Sequence, residues 1–262
     1  KILQYVQKPA RYVGGELNSV VKNPDEVALR YAFCFPDTYE IGMSHLGMKI
    51  LYGLVNARDD AWCERVFAPD TDMEELMRKN NIPLFALESG DYIKDFDIIG
   101  FTLQYELSYT NVLNMLDLAG IKLFSKDRTE LTPIICCGGP CACNPEPIAD
   151  FFDIVFLGDG EETTEQVLDL LKYCKENGLS KHDFLLKAKD IRGIYVPSFY
   201  EPSYNDDGTL RELKPINGAP EKVKKAVVAD MDTCYYPDKF VVPFINIVHD
   251  RAVEEIFRGC IR

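Results

Sequence analysis

Apolar residues along the chain come in short, nearly unbroken runs, separated by stretches where they recur every three or four positions. The first run, "VALRYAFCF" at 27–35, is β-branched and aromatic and ends at Pro36-Asp37, which predicts a buried strand and its turn. Behind it Gly47, Ile50, Leu51 and Leu54 fall at helical spacing. "AWCERVFAP" at 61–69 predicts a second strand. "TDMEELMRKNN" at 71–81 predicts a helix, with acids at its start and bases at its close as the helix dipole favours. The alternation continues. "DIIGFTLQ" at 97–104 is a third strand, followed by a helix with Val112, Met115, Leu116 and Ala119 on one face before Gly120 stops it. "PIICCGG" at 133–139 is a fourth. "DIVFLGDGEE" at 153–162 is a fifth, leading into a helix that buries Val167, Leu170, Leu171 and Cys174 and ends at Asn177-Gly178. Strands this apolar need cover on both faces, so the pattern predicts a doubly wound α/β domain on a five-stranded, mainly parallel sheet.

The pattern changes after 197. "GIYVPSFYEPSYNDDGTLRELKP" has aromatic and β-branched runs on either side of Asn205-Asp206-Asp207-Gly208, a hairpin signal that predicts antiparallel strands at an edge. A Pro- and Lys-containing connector follows from 216 to 243, and "FINIVHDRAVEEIFRGC" begins a further element. The expected organisation is an N-terminal extension (1–24), the α/β domain (25–197), a hairpin and connector (198–242) and the start of another unit (243–262).

Composition narrows the function classes. The 262 residues are 47% hydrophobic and 27% charged, as in a globular protein with a sizeable core. No apolar run approaches the length of a membrane span, and the first residues lack a signal peptide's apolar stretch and cleavage site. A cytoplasmic location with no membrane partner is expected. The net charge of −13 argues against nucleic-acid binding by these residues, since phosphate neutralisation needs clustered bases. Nine cysteines without a secretory signal point to buried thiols or metal ligands rather than disulfides.

In open α/β sheets ligands sit beyond the carboxyl ends of the strands, which directs attention to "PDTYEIGMSHLG" (36–47), "QYELSYTN" (104–111), "GGPCACNPEP" (138–147) and "GDGEE" (158–162). Gly138-Gly139 and Gly158-Asp159-Gly160 would each serve as tight turns; on neighbouring strands they mark a crevice that backbone can line closely. No G-x-G-x-x-G follows the first strand, which argues against a dinucleotide site. Cys136, Cys137, Cys141 and Cys143 lack the C-x2-C spacing of zinc knuckles and are expected to be core thiols. His45, His182 and His249 are isolated, and none is assigned to a metal. Asp159, Glu161 and Glu162 suit the first turn of a helix and receive no catalytic role.

The stretch "PIICCGGPCACNPEPIADFFDIVFLGDGEETTEQVL" at 133–168 resembles the N-terminal cobalamin-binding-type (Rossmann-like) domain of B12-dependent radical SAM proteins, in which Gly-Gly-Pro follows one strand and Gly-x-Gly-Glu the next. "VHDRAVEEIFRGCIR" is similar to the lead-in to that family's C-x3-C-x2-C motif, with Cys260 as first cysteine and the others beyond Arg262. The resemblance implies a chain cut at that motif and a downstream radical SAM barrel as its own partner. There a [4Fe–4S] cluster would bind S-adenosylmethionine and generate a 5′-deoxyadenosyl radical. The piece ending at 262 is expected to be inactive alone.

On the resemblance, the cofactor-binding positions are Leu107, Ser108, Gly138, Gly139, Gly158, Gly160 and Glu161. Many such domains carry D-x-H-x-x-G after the first strand, with His as lower cobalt ligand; that spacing does not occur here. Cobalamin, if bound, would therefore meet its cobalt without a histidine. Two other readings stand beside this one: a degenerate, cofactor-free domain that covers the active site, and a flavodoxin-like FMN binder.

Overall fold

The computed structural model describes residues 2–259. Six strands form the central sheet: β1 (Leu29–Phe35), β2 (Ala61–Phe67), β3 (Ile98–Thr102), β4 (Ile134–Gly138), β5 (Ile154–Phe156) and β6 (Ile194–Tyr195). Their order is β2-β1-β3-β4-β5-β6. The first five run parallel, while β6 pairs antiparallel to β5 through Val155–Tyr195 and Phe156–Ile194. The five-stranded expectation is thus short by one. Ile194-Tyr195 is a two-residue strand directly ahead of Pro197, too brief to separate from the hairpin run by pattern. The hairpin itself forms as β7 (Tyr200–Tyr204) and β8 (Leu210–Pro215), but these pair only with each other and do not extend the main sheet.

Helices cover both faces, as strands buried on two sides require. They are α1 (Tyr39–Gly42), α2 (Leu46–Asn56), α3 (Thr71–Lys79), α4 (Tyr109–Leu118), α5 (Glu161–Glu176) and α6 (Lys181–Ala188). On one face, α2, α5 and α6 pack with Phe33, Ile98 and Cys136; on the other, α3 and α4 pack with Cys34, Ile99 and Cys137. Cys136 and Cys137 go to opposite cores, as the two-residue strand period dictates. In α5 the buried stripe is Thr164, Val167, Leu168, Leu171 and Cys174; Leu170, expected inside, is only partly covered.

Helix α6 was not anticipated from apolar spacing. Its start is fixed by a reciprocal cap: the Ser180 hydroxyl accepts from Asp183 N–H (3.2 Å), and the Asp183 carboxylate accepts from Ser180 N–H (3.0 Å). Ser180→Ala is expected to lower stability by about 1 kcal/mol in urea unfolding.

Among the described residues of the stretch expected to begin a further unit, 244–259 forms neither helix nor strand. Side chains of other segments take up its main-chain groups. His249 N–H donates to Ser44 Oγ (3.0 Å), and Tyr236 Oη donates to the Val253 carbonyl (2.7 Å). The segment therefore runs as an irregular strap over the carboxyl edge of the sheet. Among the described residues no helix is long and apolar enough to cross a membrane.

Candidate functional site

All five parallel strands point their carboxyl ends at one edge. The connections diverge between β1 and β3, where chain order reverses, and a crevice opens there. It contains a cavity of ≈ 430 Å³. Its floor is Tyr31, Phe33, Gly100, Cys136 and Phe156; the walls are His45, Ile50 and Leu51 from the start of α2, and Gly160, Glu161 and Thr164 from the start of α5. Glu255 and Arg258 of the strap close one side. Gly100 has a reason to lack a side chain: a Cβ would stand 2.1 Å from the Tyr31 hydroxyl, which crosses the sheet above it. A smaller cavity of ≈ 180 Å³ lies behind α2, against Tyr235 and Phe240.

Of the positions named from the sequence, Gly138, Gly139, Gly158, Gly160 and Glu161 line the large cavity together. Leu107 and Ser108 do not. Leu107 is 86% exposed, while Ser108 is buried with its hydroxyl donating to the Tyr105 carbonyl (2.7 Å). A 3-10 turn at Glu106–Ser108 carries both onto the α4 side, away from the crevice. Cys260 lies outside the described residues.

The two glycine bends are genuine, with φ of +100° at both Gly139 and Gly158. Their cause is the protein's own backbone: a Cβ on Gly139 would stand 2.7 Å from the Leu103 carbonyl oxygen, and one on Gly158 would stand 2.0 Å from that of Ala226. These contacts fix the strand tips and leave the hollow beside them open.

His45 caps α2, its Nδ1 accepting from Met48 N–H (3.1 Å). Burial pushes its pKa down, against the opposing influence of Gln104, so the ring is neutral at pH 7. With Nδ1 accepting, the one ring proton is on Nε2, which leaves that nitrogen a donor with no lone pair for a metal. Gln104 in turn donates to Thr102 Oγ1 (2.7 Å), so this wall presents neutral polar groups to the cavity. Burial pushes the Cys136 and Cys137 thiols up, and they stay protonated. The Arg258 guanidinium pairs with Glu161 (2.6 Å), Glu255 (2.8 Å) and, more loosely, Asp159 (3.4 Å). Three carboxylates against one cation leave the mouth net negative. Among the described residues no group of three or more His, Cys, Asp or Glu side chains is placed to hold a metal ion.

These features define an α/β domain with a crevice at its switch point, neutral along the His45–Gln104 wall and acidic at its mouth. The family described as "Radical SAM proteins, N-terminal" matches residues 47–197, more than half the chain and every element of the crevice except the strap, β1 and its loop. The chain belongs to that family. It is 27% identical over 223 residues to an uncharacterised protein of Methanocaldococcus jannaschii, covering 80% of this chain and 42% of the relative. The chain thus spans about two fifths of the curated relative's length. No solved structure matches it.

The strap residues Glu255 and Arg258 were not foreseen as lining, whereas His45 and Gln104 fall in loops singled out from the sequence without an assigned role. Arg258 reaches Glu161 across 97 positions of sequence, a contact that no local pattern announces.

Proposed function

We propose that this chain is the N-terminal module of a radical SAM protein whose crevice seats one flat, uncharged part of a cobalamin, with Cys260 as the first of three cluster-binding cysteines in the segment that follows. The observation that carries this reading is the ≈ 430 Å³ cavity at the switch point, lined by aromatic rings, glycines and neutral hydrogen-bonding groups, with Asp159, Glu161, Glu255 and Arg258 at its mouth. The residues fit such a guest in a particular way. Phe33, Phe156 and Tyr31 offer apolar surface, and His45 Nε2–H and the amide of Gln104 offer polar contacts to neutral side groups. Because His45 has no lone pair to give, cobalt would lack a histidine ligand from this loop. Bound cobalamin would supply a transferable methyl group to the radical chemistry of the barrel, making the whole protein a radical methyltransferase.

FMN is less suited to the crevice. Its phosphate dianion would face Asp159, Glu161 and Glu255, and the cation beside them, Arg258, is already engaged by all three. Reconstitution with hydroxocobalamin followed by desalting is the test: corrinoid absorbance bands are expected to stay with the protein. Their complete loss to the buffer would favour the cofactor-free covering domain, and a yellow protein as purified would favour the flavin.

A further inference from the structure

The strap at 244–259 is the least regular segment of the structure, yet it supplies one side of the crevice. Along its length it is anchored by the His249–Ser44 and Tyr236–Val253 hydrogen bonds. At its end stands Arg258. The Arg258 side chain is 26% exposed and the Glu161 side chain 9%, so the pair is largely withdrawn from water. Hydrogen bonds donated to Glu255 and Glu161 raise the guanidinium's pKa despite its burial. Glu161 is itself placed by the α5 N-terminus, and Asp159 by a hydrogen bond from Val228 N–H (2.8 Å). Both acids are therefore fixed features of the β5–α5 turn, and Arg258 is the group that comes to them. Ile256 and Phe257, immediately before it, are 86% and 73% exposed, so apolar burial does not hold this end of the strap.

We propose that Asp159 and Glu161 form an intrachain latch for Arg258, which closes the strap over the crevice. The acids of the Gly-x-Gly-Glu turn then hold the chain rather than a cofactor. This deepens the reading of the crevice as the functional site and rests on it. A guest that touches the underside of the strap favours the latched state, and the latched state by the same factor favours the guest.

Trypsin reads the latch directly. Cleavage after Arg258 requires its guanidinium in the protease pocket, so pairing with Glu161 and cleavage exclude each other. In the intact protein, cleavage at Arg258–Gly259 is compared with cleavage after the exposed Lys224 of the connector as internal reference. Glu161→Gln is expected to raise the Arg258 rate about tenfold relative to Lys224, in proportion to the open population. Asp159→Asn, which can still accept from Val228, should raise it about threefold, and covers the case in which loss of Glu161 disturbs α5. Raising salt should raise the wild-type ratio, and raise it less in Glu161→Gln, where only the pairs with Asp159 and Glu255 remain to be screened. Equal ratios in wild type and both variants would overturn the latch. Failure of the wild type to retain hydroxocobalamin would overturn the cobalamin reading alone, since the ligand-free comparison decides the latch by itself.

Discussion

Arg65→Met is expected to lower the unfolding free energy by about 3–5 kcal/mol, measured by urea denaturation at pH 7. The Arg65 side chain is 2% exposed and lies between two buried acids, Nη2 at 2.7 Å from Glu16 and Nε at 2.6 Å from Glu88. Glu88 also accepts from the Arg65 main-chain N–H (2.7 Å), and Tyr39 donates to Glu16 (2.8 Å). Removing the guanidinium strands both carboxylates away from water, which costs far more than the pair contributes over an apolar isostere. The loss would reach the crevice. Arg65 also touches Met43 Sδ (3.2 Å) and lies over the Tyr52 ring of α2, the helix whose first turn forms one crevice wall.

The pH dependence has a definite sign. Burial alone would raise the Glu16 carboxyl, but hydrogen bonds and charge from Arg65, with the Tyr39 hydroxyl, outweigh it and hold the carboxyl below its usual 4.5. A depressed acid contributes stability above its unfolded pKa and loses it as pH falls through the folded value. In the variant Glu16 has no cation and gains by protonation instead. The stability gap between wild type and Arg65→Met should therefore narrow on acidification, beginning above about pH 4.5 as Glu16 of the variant protonates and continuing below it as Glu16 of the wild type does. A gap that stayed constant or widened would show that the network is not ionised as described.

The sheet was legible because burial on both faces writes itself into composition. "VALRYAFCF" and "PIICCGG" have few polar positions, and both became interior strands within two residues of the expected bounds. The elements that escaped were those fixed by a few specific contacts. Strand β6 is two residues long, and α6 announces itself through Ser180 and Asp183 rather than through an apolar stripe. Positions in the crevice divided the same way. Glycines at strand tips are visible because the backbone there leaves few choices, so five of the seven named cofactor positions converge. Leu107 and Ser108 were placed by loop analogy, and a 3-10 turn took them elsewhere. The reason for the glycines was also different from the one inferred. Sequence can mark where a side chain is forbidden, but not whether a ligand or the chain itself forbids it. At Gly139 and Gly158 the chain does so, through Leu103 and Ala226.

Gly158→Ala should be the most damaging single-methyl change near the crevice, lowering stability by more than ~3 kcal/mol. Two separate penalties add. The residue sits at φ +100°, which an L side chain rarely adopts, and its new Cβ would stand 2.0 Å from the Ala226 carbonyl oxygen. Ala226 cannot simply withdraw: its N–H donates to the Leu157 carbonyl (2.8 Å) and its carbonyl accepts from Asp159 N–H (3.0 Å). Relief of the clash therefore peels the connector from the tip of β5 and releases Val228 from Asp159. Gly178→Ala separates the two penalties, because Gly178 also has positive φ (+62°) but nothing lies within 4 Å of its Cβ position. That variant should lose only about 1 kcal/mol. Equal losses in the two variants would mean that the close approach of Ala226 contributes nothing. The unequal result should also appear at the crevice, since the displaced turn carries Asp159, Gly160 and Glu161. Gly158→Ala is expected to release hydroxocobalamin on desalting and to speed cleavage at Arg258, while Gly178→Ala, at the far end of α5, does neither.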